Sequence, residues 1–552
     1  MAARAGRLVL PALVVLLPFE PRRPVLPLLG FQVTLLEAAA AMLGVALLWS
    51  ARRRLVPLMR RPPLPLAFLA LYATAHVLSA ALAPVHRDLA AKFALRMVVM
   101  AGLGLASAAA APEAGRRALV ALVAAAVAVA ALAIAEGAGI RAVDPFLDHF
   151  RQTPFNIAGS RRASAGSEYP NLAAAFLMAG LLAAAGLAAA WRRPVRLLLP
   201  LAALLSLGML LTYSRGAVVA TGLGLGALAA VGRHRRFAPA LGALAVLLAV
   251  SAAFAWTGQV YRLRLAAEGS GAWYGVAYAP AEAALALRPG EVRATDVRVT
   301  NTGRMTWTAD DVFHLAYHWY DTDRRKLEDG RRTLLPRAVA PGETLSLRAE
   351  LRAPMTEGRY LLAWDMVQER VTWFSDQGLA PGVVAVVVSA APVAAGLPLP
   401  PDAMNTAPLA APLPWRPGRS ELWRLAAALW RQRPLTGMGP DNFRWLYGKV
   451  AGQSFWDTRV FANNALIEAA ATTGTLGAVA LAGTLITTAL AAASRLHEPG
   501  VLGATAAALF AIAIGLAAHG AVDYVLAFTG HYLLFGFVAG SAAGLVRSEA
   551  PA

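Results

Sequence analysis

The chain has 552 residues, of which 58% are hydrophobic and only 15% charged. Since soluble domains carry about 25% charged residues, this composition excludes an ordinary soluble protein. The chain contains no cysteine and nine histidines without metal-ligand spacing, so neither a disulfide nor a dedicated metal site is expected. The net charge of +19 is better explained by arginines that anchor loops at a membrane than by nucleic-acid binding.

Apolar stretches of about 20 residues, the length of a membrane-crossing helix, recur along the chain. The first has no small-residue cleavage site and runs into Pro21-Arg22-Arg23-Pro24, so a cleaved signal peptide is not expected. The stretches predict a polytopic α-helical membrane protein with about twelve spans, near 7–19, 31–50, 64–82, 93–112, 117–138, 171–190, 196–213, 215–232, 238–256, 471–493, 500–519 and 525–546.

The arginines between these stretches predict an orientation. With a cytoplasmic N-terminus, most arginine-rich loops face inward, as the positive-inside rule requires, and Arg22 and Arg23 are the exceptions. The protein would then be a multi-pass protein of a bacterial inner membrane, with its large loop, 257–470, in the periplasm. Topology leaves one set of outer arginines unexplained: Arg141, Arg151, Arg161, Arg162 and Arg215.

Part of the large loop has the pattern of a separate β domain. Polar and apolar residues alternate, as in Val292–Val299 and Thr344–Leu351, between turn signals such as Asn301-Thr302-Gly303. Such spacing predicts an all-β sandwich, and the segment resembles immunoglobulin-like domains of some bacterial glycan-processing membrane proteins. Three of its aromatic residues are expected to fill the core rather than to form a sugar platform, the alternative: Trp319, Trp364 and Trp373.

These features predict the order of the segments along the chain. Ser420 is expected to N-cap an amphipathic helix at the membrane–water boundary, with Leu422, Trp423, Leu425, Ala426, Leu429 and Trp430 on its apolar face. The predicted segments are a membrane domain of about nine spans at 1–256, a connector at 257–274, the periplasmic sandwich at 275–390, a Pro-rich linker at 391–419, the interfacial helix and a motif loop at 420–470, and three spans at 471–552.

Three stretches at the ends of spans combine glycine, proline, asparagine and charged residues. They are Arg162–Asn171 (RASAGSEYPN), Thr212–Ala217 (TYSRGA), and a third that contains PLTGMGPDNF from Pro434 and ANNALIE from Ala462. In order and spacing they resemble the O-antigen ligase and polymerase family, which carries R-x-x-x-G-x-x-x-P-N, T-x-S-R-G-A, P-L-x-G-x-G-P-x-N-F and H-N-x-x-L-E. The resemblance covers roughly 30–256 and 420–546.

The resemblance implies a GT-C-type glycosyltransferase that is inverting and needs neither cofactor nor metal. It would move an oligosaccharide or polysaccharide from a polyprenyl-diphosphate carrier to a glycan, lipid or protein acceptor in cell-surface polysaccharide biosynthesis, including lipopolysaccharide. Fixed arginines would then stabilise the diphosphate, and the motifs assign Arg215 and Arg162 to this role. Further substrate contacts are implied for Arg161, Gly166, Asn171, Ser214, Gly439, Asn442, His519 and Asp523.

The sequence departs from the family at the residue expected to activate the acceptor. Members carry a His before the Asn of the last motif, whereas Asn463 stands there in this chain, or Phe461 in the other register. Neither side chain takes up a proton, so Asn463, Asn464 and Glu468 are expected to position or activate the acceptor. Proton acceptors left open are Glu168, Asp441, Asp457 and Glu468, or His519 with Asp523.

Two other function classes remain alternatives. A transporter or flippase is disfavoured because no internal repeat is evident. A non-catalytic scaffold would keep the lipid-diphosphate site while the β domain recruits polysaccharide-assembly proteins. In each case the expected partners include membrane lipids and a lipid-linked glycan, and exclude nucleic acid.

Overall fold

The computed structural model describes residues 2–23, 26–28, 31–110, 112–190, 194–231, 238–266, 273–310, 312–369, 371–391, 409 and 414–547. The chain forms two compact units. The helical unit comprises 1–155, 161–257 and 415–552, and the β unit comprises 156–160 and 258–414.

The helical unit is built from long apolar helices joined by short loops. Small additional strands and 3₁₀ turns lie in its loops. Its helices are α1 (Ala2–Leu16), α2 (Leu35–Arg60), α3 (Leu64–Ala81), α4 (Arg87–Ala109), α5 (Pro112–Gly137), α6 (Asp144–Leu147), α7 (Pro170–Leu187), α8 (Pro194–Leu210), α9 (Arg215–Val231), α10 (Ala238–Thr257), α12 (Arg419–Gln432), α13 (Phe443–Val450), α14 (Ala465–Ala493), α15 (Gly500–Gly520) and α16 (Thr529–Arg547), with α11 (Gln259–Ala266) in the β unit.

Nine of the described helices are long and apolar enough to cross a membrane, which confirms a helical membrane part. Two further apolar helices, α8 and α9, are shorter, and α1 has 15 residues. Every predicted span overlaps one of these helices, but α4 begins at Arg87 and α14 at Ala465, six residues before the apolar runs. The backbone hydrogen bonds of a helix continue through polar residues, so the apolar runs placed the starts of α4 and α14 too late in the chain.

Contacts between loops show which of them share an end of the helical unit. At one end Arg547 donates to the carbonyl of Pro57 at 3.0 Å, and Arg495 to that of Val546 at 3.3 Å. At the other end the Asn171 amide donates to Asp523 at 2.9 Å. The ends of α2, α14 and α16, which the prediction puts on one side, therefore lie together, and the start of α7 lies with the end of α15 at the other end.

Small residues let the helices pack closely. A Cβ on Gly186 of α7 would lie 2.1 Å from the backbone nitrogen of Ala508 in α15. A Cβ on Gly540 of α16 would lie 2.0 Å from the carbonyl oxygen of Gly104 in α4. Van der Waals contact at this spacing is the main attraction available between helices in lipid.

The β unit contains two sheets that are mainly antiparallel. The larger joins β10 (Thr333–Leu334), β8 (Phe313–Tyr320), β12 (Gly358–Gln368), β14 (Gly382–Val388) and β6 (Ala284–Leu287), with β9 (Lys326–Asp329) on β8 and β13 (Thr372–Trp373) on β12. The smaller joins β11 (Thr344–Arg352), β7 (Val292–Asn301) and β5 (Val276–Pro280). Strands β6 and β14 pair in parallel. The short strands β1 (Leu26–Leu28) and β2 (Phe31–Val33), and β3 (Phe155–Ile157) and β4 (Ser160–Arg162), form two separate hairpins.

The aromatic residues of this unit mainly serve its core. Buried and exposed positions alternate along β11, as its sequence pattern predicts. Trp319 and Trp364 are fully buried, so they cannot form a sugar platform. The half-buried ring of Trp373 packs against His318 at 4.2 Å and is covered by Arg332 at 4.9 Å. Core packing is therefore the observed role of Trp319 and Trp364, whereas Trp373 lies at the edge of the core.

The amphipathic helix in the motif loop differs from its predicted start. Helix α12 begins at Arg419 with Gly418 at the N-cap, so Ser420 lies in the first turn instead of capping it. Four residues of its predicted apolar face are buried: Leu422, Leu425, Ala426 and Leu429. The other two are not, since Trp423 is exposed and Trp430 is half-buried. Glycine is also accepted at N-caps, so the prediction chose Ser420, two positions after the observed N-cap.

Candidate functional site

A polar cavity of about 370 Å³ lies in the helical unit, at the end where the loop after α1 meets the loops before α7, α14 and α16. The described lining includes Glu20, Arg22, Arg96, Glu168, Tyr169, Asp441, Arg444, Arg459, Phe461, Phe528, Thr529 and His531. Segments far apart in sequence therefore meet here. Charged groups around a concave site near an apolar helix bundle make it the candidate functional site.

Four arginines are in the described lining of this cavity, beside three carboxylates. The Nε of Arg96 donates to Glu37 at 2.6 Å, and Arg459 makes a two-point contact with Asp457 at 2.9 and 3.1 Å. Arg22, which is exposed, donates to the carbonyl of Arg151 at 3.1 Å. Protein oxygens thus hold each guanidinium in place, and planar guanidinium groups match the oxygens of phosphates.

Two glutamates share the cavity with these arginines. Burial raises the pKa of Glu20, although Thr34 donates a hydrogen bond to its carboxylate at 2.8 Å. The cavity walls remove much of the water around Glu168, and this, together with the charge of Glu20, raises the pKa of Glu168. The charges of Arg22 and Arg96 oppose the shift. Glu168 nevertheless remains accessible from the cavity.

The glycine-rich motif PLTGMGPDNF forms a turn that carries Asp441 into the cavity. Gly439 has a φ of 102°, and a Cβ there would lie 2.6 Å from Asn442. Asn442 is fully buried and donates to the carbonyls of Val85 at 2.7 Å and Met438 at 2.8 Å. Arg444 holds Asp441 by two hydrogen bonds of 2.7 Å. Gly439 and Asn442 thus shape the turn, and Asp441 and Arg444 line the cavity.

The turn docks on a break in α14. Gly474 interrupts that helix with a φ of 71°. The carbonyl of Thr472 therefore accepts from the backbone of Gly439 at 2.9 Å and from the Ser79 hydroxyl at 2.7 Å. Carbonyls released within a membrane helix need such partners. The break and the motif turn support one another.

The last motif caps α14. Asn464 accepts from the backbone amides of Leu466 and Ile467 at 3.0 Å and donates to the carbonyl of Ala521 at 3.0 Å. Asn463 precedes it with a φ of 52°. Glu468 is 1% exposed and accepts from the amide of Ala462 at 2.7 Å. These residues order the start of α14, and Phe461 is the part of the segment that lines the cavity.

Arg162 joins two of the predicted motifs. Its Nε donates to the carbonyl of Thr212 and its Nη2 to Asn171, both at 2.9 Å. Asn171 in turn donates to Asp523 at 2.9 Å. The structure thus brings Arg162, Asn171 and Asp523 together as one hydrogen-bonded chain that ties α7 to the loop after α15.

Arg161 belongs to a different cluster. It pairs with Asp144, and its Nε lies 3.5 Å from Glu136. Glu136 also pairs with the fully buried Arg151 and accepts from the amides of Ser164 and Ala165 at 2.8 and 3.0 Å. Burial would raise the pKa of Asp144, but hydrogen bonds from Arg161 and Arg151 lower it below the usual value. This cluster shapes the loop that carries Glu168 to the cavity. Gly166 in the same loop has a φ of 89° and packs against Phe19.

Arg215 begins α9 and Ser214, just before it, is buried. The adjacent Gly216 faces His519, since a Cβ on it would lie 3.8 Å from Nε2 of that ring. His519 is 1% exposed, and neither ring nitrogen has a hydrogen-bond partner among the described residues. Gly216 and His519 therefore lie near each other at the cavity end of the helices, and neither Arg215 nor His519 is in the described cavity lining.

Loops that carry the motifs reach the cavity, but most of the site residues that the motifs assign are not in its described lining. Glu168, Asp441 and Phe461 come from the predicted motifs, and Glu168 and Asp441 were among the proton acceptors left open. Arg96, Arg444, Arg459 and Glu20 were not anticipated. The available signals were Arg96 inside an apolar span and Arg22 as an exception to the positive-inside rule. In the described residues, no three His, Cys, Asp or Glu side chains are placed to hold a metal ion.

Comparison of the sequence with protein-family models gives no match, and comparison with curated protein sequences gives none either.

Proposed function

We propose that this protein is an O-antigen ligase-like glycosyltransferase that moves a glycan from a polyprenyl diphosphate to an acceptor. The observation that carries the proposal is the arginine-lined cavity, at which loops of the family-like motifs converge. An anionic group is the ligand that such a cluster favours. A volume of about 370 Å³ is enough for a diphosphate with part of the attached sugar.

The chemistry assigned to the cavity is stabilisation of the leaving group. As the bond between the anomeric carbon and the phosphate oxygen breaks, negative charge grows on the diphosphate. Arg96 and Arg459, each oriented by a carboxylate, are placed to donate to that charge without moving. Fixed donors are most effective because they need no reorganisation during the reaction. Arg215 and Arg162 remain the residues that the motif resemblance assigns to the diphosphate.

The proposal includes an arrangement in the membrane. All twelve apolar helices, including α1, α8 and α9, would cross a bacterial inner membrane with the cavity on the periplasmic side, in a GT-C-like fold. The β unit would be an immunoglobulin-like periplasmic domain that receives the acceptor or an assembly protein. Its two mainly antiparallel sheets support that comparison.

The test is transfer by purified protein in lipid nanodiscs, from a synthetic polyprenyl-diphosphate sugar to an acceptor glycan. We expect Arg96→Gln and Arg459→Gln each to lower the rate about 100-fold, the usual effect of losing one donor to a developing charge. Arg424→Gln is the matched control, because Arg424 lies on the exposed face of α12 and pairs only with Glu421 among the described residues.

Two results would contradict the proposal. One is the absence of transfer by the wild-type protein from diphosphate donors to glycan, lipid or protein acceptors. The other is wild-type rates in both cavity variants. A scaffold would give the first result while still binding the donor, so donor binding is measured in parallel.

A further inference from the structure

The carboxylates of the cavity differ in how far their neighbours occupy them. Three carboxylates are in its described lining: Glu20, Glu168 and Asp441. Asp441 is held by two hydrogen bonds from Arg444, and this contact neutralises its charge and occupies both oxygens. Glu20 has its carboxylate hydrogen-bonded to Thr34. Glu168 is hydrogen-bonded to the side chain of Tyr169, makes no ion pair with any described residue and is the most exposed of the three towards the open cavity.

The other proton acceptors that the sequence left open are placed less well. Asp457 is held by Arg459 and also contacts Arg416. Glu468 and His519 are each 1% exposed and are not in the described lining of the cavity. A general base must come within hydrogen-bond reach of the acceptor hydroxyl. Asp523 accepts from Asn171 at 2.9 Å and is also outside that lining. Accessibility from the cavity therefore separates Glu168 from the rest.

We propose that Glu168 is the general base that activates the acceptor hydroxyl, in place of the missing histidine, and that Glu20 is the residue that tunes it. This inference rests on the proposed transferase function. The Glu168 carboxylate takes the proton of the acceptor hydroxyl as the oxygen bonds to the anomeric carbon. The bond from that carbon to the phosphate oxygen breaks, its electron pair stays on the diphosphate, and Glu168 then releases the proton to water.

The surroundings of Glu168 suit this role. A carboxylate with an ordinary pKa is a weak base at neutral pH. The loss of water inside a cavity and the charge of a second carboxylate both raise that pKa towards the working pH. The charged and titratable groups around the same cavity are Glu20, Arg22, Arg96, Tyr169, Asp441, Arg444, Arg459 and His531. Of these, Glu20 is the nearby negative charge that raises the pKa of Glu168.

The experiment compares Glu168→Gln with the wild-type protein in the nanodisc transfer assay. We expect the transfer rate to fall about 100-fold or more, as on loss of a general base, with unchanged donor binding. Sodium azide, a nucleophile that carries no proton to remove, should restore turnover and yield a glycosyl azide. Glu168→Asp should recover part of the rate. Glu421→Gln is the matched control, because Glu421 is a half-buried residue of α12 that is not in the described lining of the cavity.

The pH profile tests the role of Glu20 separately. Transfer requires ionised Glu168, so its rate rises with pH through the pKa of that carboxyl. Removing the charge of Glu20 in Glu20→Gln lowers that pKa, and the acidic limb should move to lower pH. This measurement remains decisive if Glu168→Gln fails to fold.

The outcomes distinguish this inference from the function on which it rests. Wild-type rates in Glu168→Gln overturn the inference alone. A slow Glu168→Gln protein that azide does not rescue, or an acidic limb that does not move in Glu20→Gln, also overturns it. Absence of transfer by the wild-type protein overturns both proposals.

Discussion

At the scale of single residues, the buried pair of Arg151 and Glu136 shows how charge is used for structure in this protein. Both side chains are fully buried, and Asp144 and Asp148 also contact Arg151 at 2.8 and 3.1 Å. Ionised groups in such a place are costly unless they are paired and hydrogen-bonded. Arg151 was one of the outer arginines that topology left unexplained, and its role is to hold the loop that carries Glu168.

Arg151→Met should therefore destabilise the protein strongly. The change leaves Glu136 as a buried charge without its main partner, which costs about 3–5 kcal/mol in comparable pairs. The measurement is the melting temperature in detergent, taken as the temperature at which monodisperse protein is lost. Arg116→Met is the control: Arg116 pairs with Glu113 on a part-exposed surface, where such pairs contribute roughly 0–1 kcal/mol. Equal melting temperatures for the two variants would refute a structural role for the buried pair.

The exceptions to simple rules were the most informative residues. Arg22 breaks the positive-inside pattern, and Arg96 lies within an apolar helix. Both line the cavity. The positive-inside rule and the absence of charge from apolar helices both describe placements of low free energy in a membrane. A residue that departs from them needs a compensating interaction, and an anionic ligand supplies one.

At the scale of elements, the break in α14 decides where the glycine-rich turn lies. A Cβ on Gly474 would approach the carbonyl oxygen of Leu435 to 2.2 Å, and a Cβ on Gly437 would approach the backbone of Thr472 to 2.3 Å. Two backbones therefore cross at a distance that only glycine permits. The crossing sets the position of Asp441 and Arg444 in the cavity.

Gly474→Ala should consequently disrupt both the fold and transfer. It combines a backbone clash with a positive φ, whereas Gly452→Ala introduces only the positive φ, because nothing lies within 4 Å of its Cβ. The strain of that φ alone costs about 1–3 kcal/mol. We expect a clearly lower melting temperature and lower transfer rate for Gly474→Ala than for Gly452→Ala. Indistinguishable variants would show that the crossing is unimportant.

At the scale of the whole molecule, the chain divides into a helical unit and a β unit that has its own core. Trp273, Trp307 and Trp319 have no exposed surface, and Trp364 is 1% exposed. A pair of sheets with such a core meets the requirements of an independently folding domain.

Residues 273–391, expressed alone, should fold in solution. The expected signs are blue-shifted tryptophan emission, because the indoles are buried, and one cooperative transition in urea. A chain unfolded by the same urea series provides the reference emission. If the tryptophan emission maximum in buffer already matched that of the unfolded chain, the β unit would depend on the rest of the protein for its folding.

The sequence by itself determined the membrane class, the helices and the alternating strands, because hydrophobic periodicity is local and each element reports its own surroundings. It also pointed to the loops that converge, through Arg162, Asn171 and the glycine-rich turn. Only the tertiary structure decided which side chains meet in the cavity. Glu20, Arg96, Glu168 and Arg459 come from segments far apart in the chain, and whether two such residues share a site depends on helix packing, which no local pattern encodes.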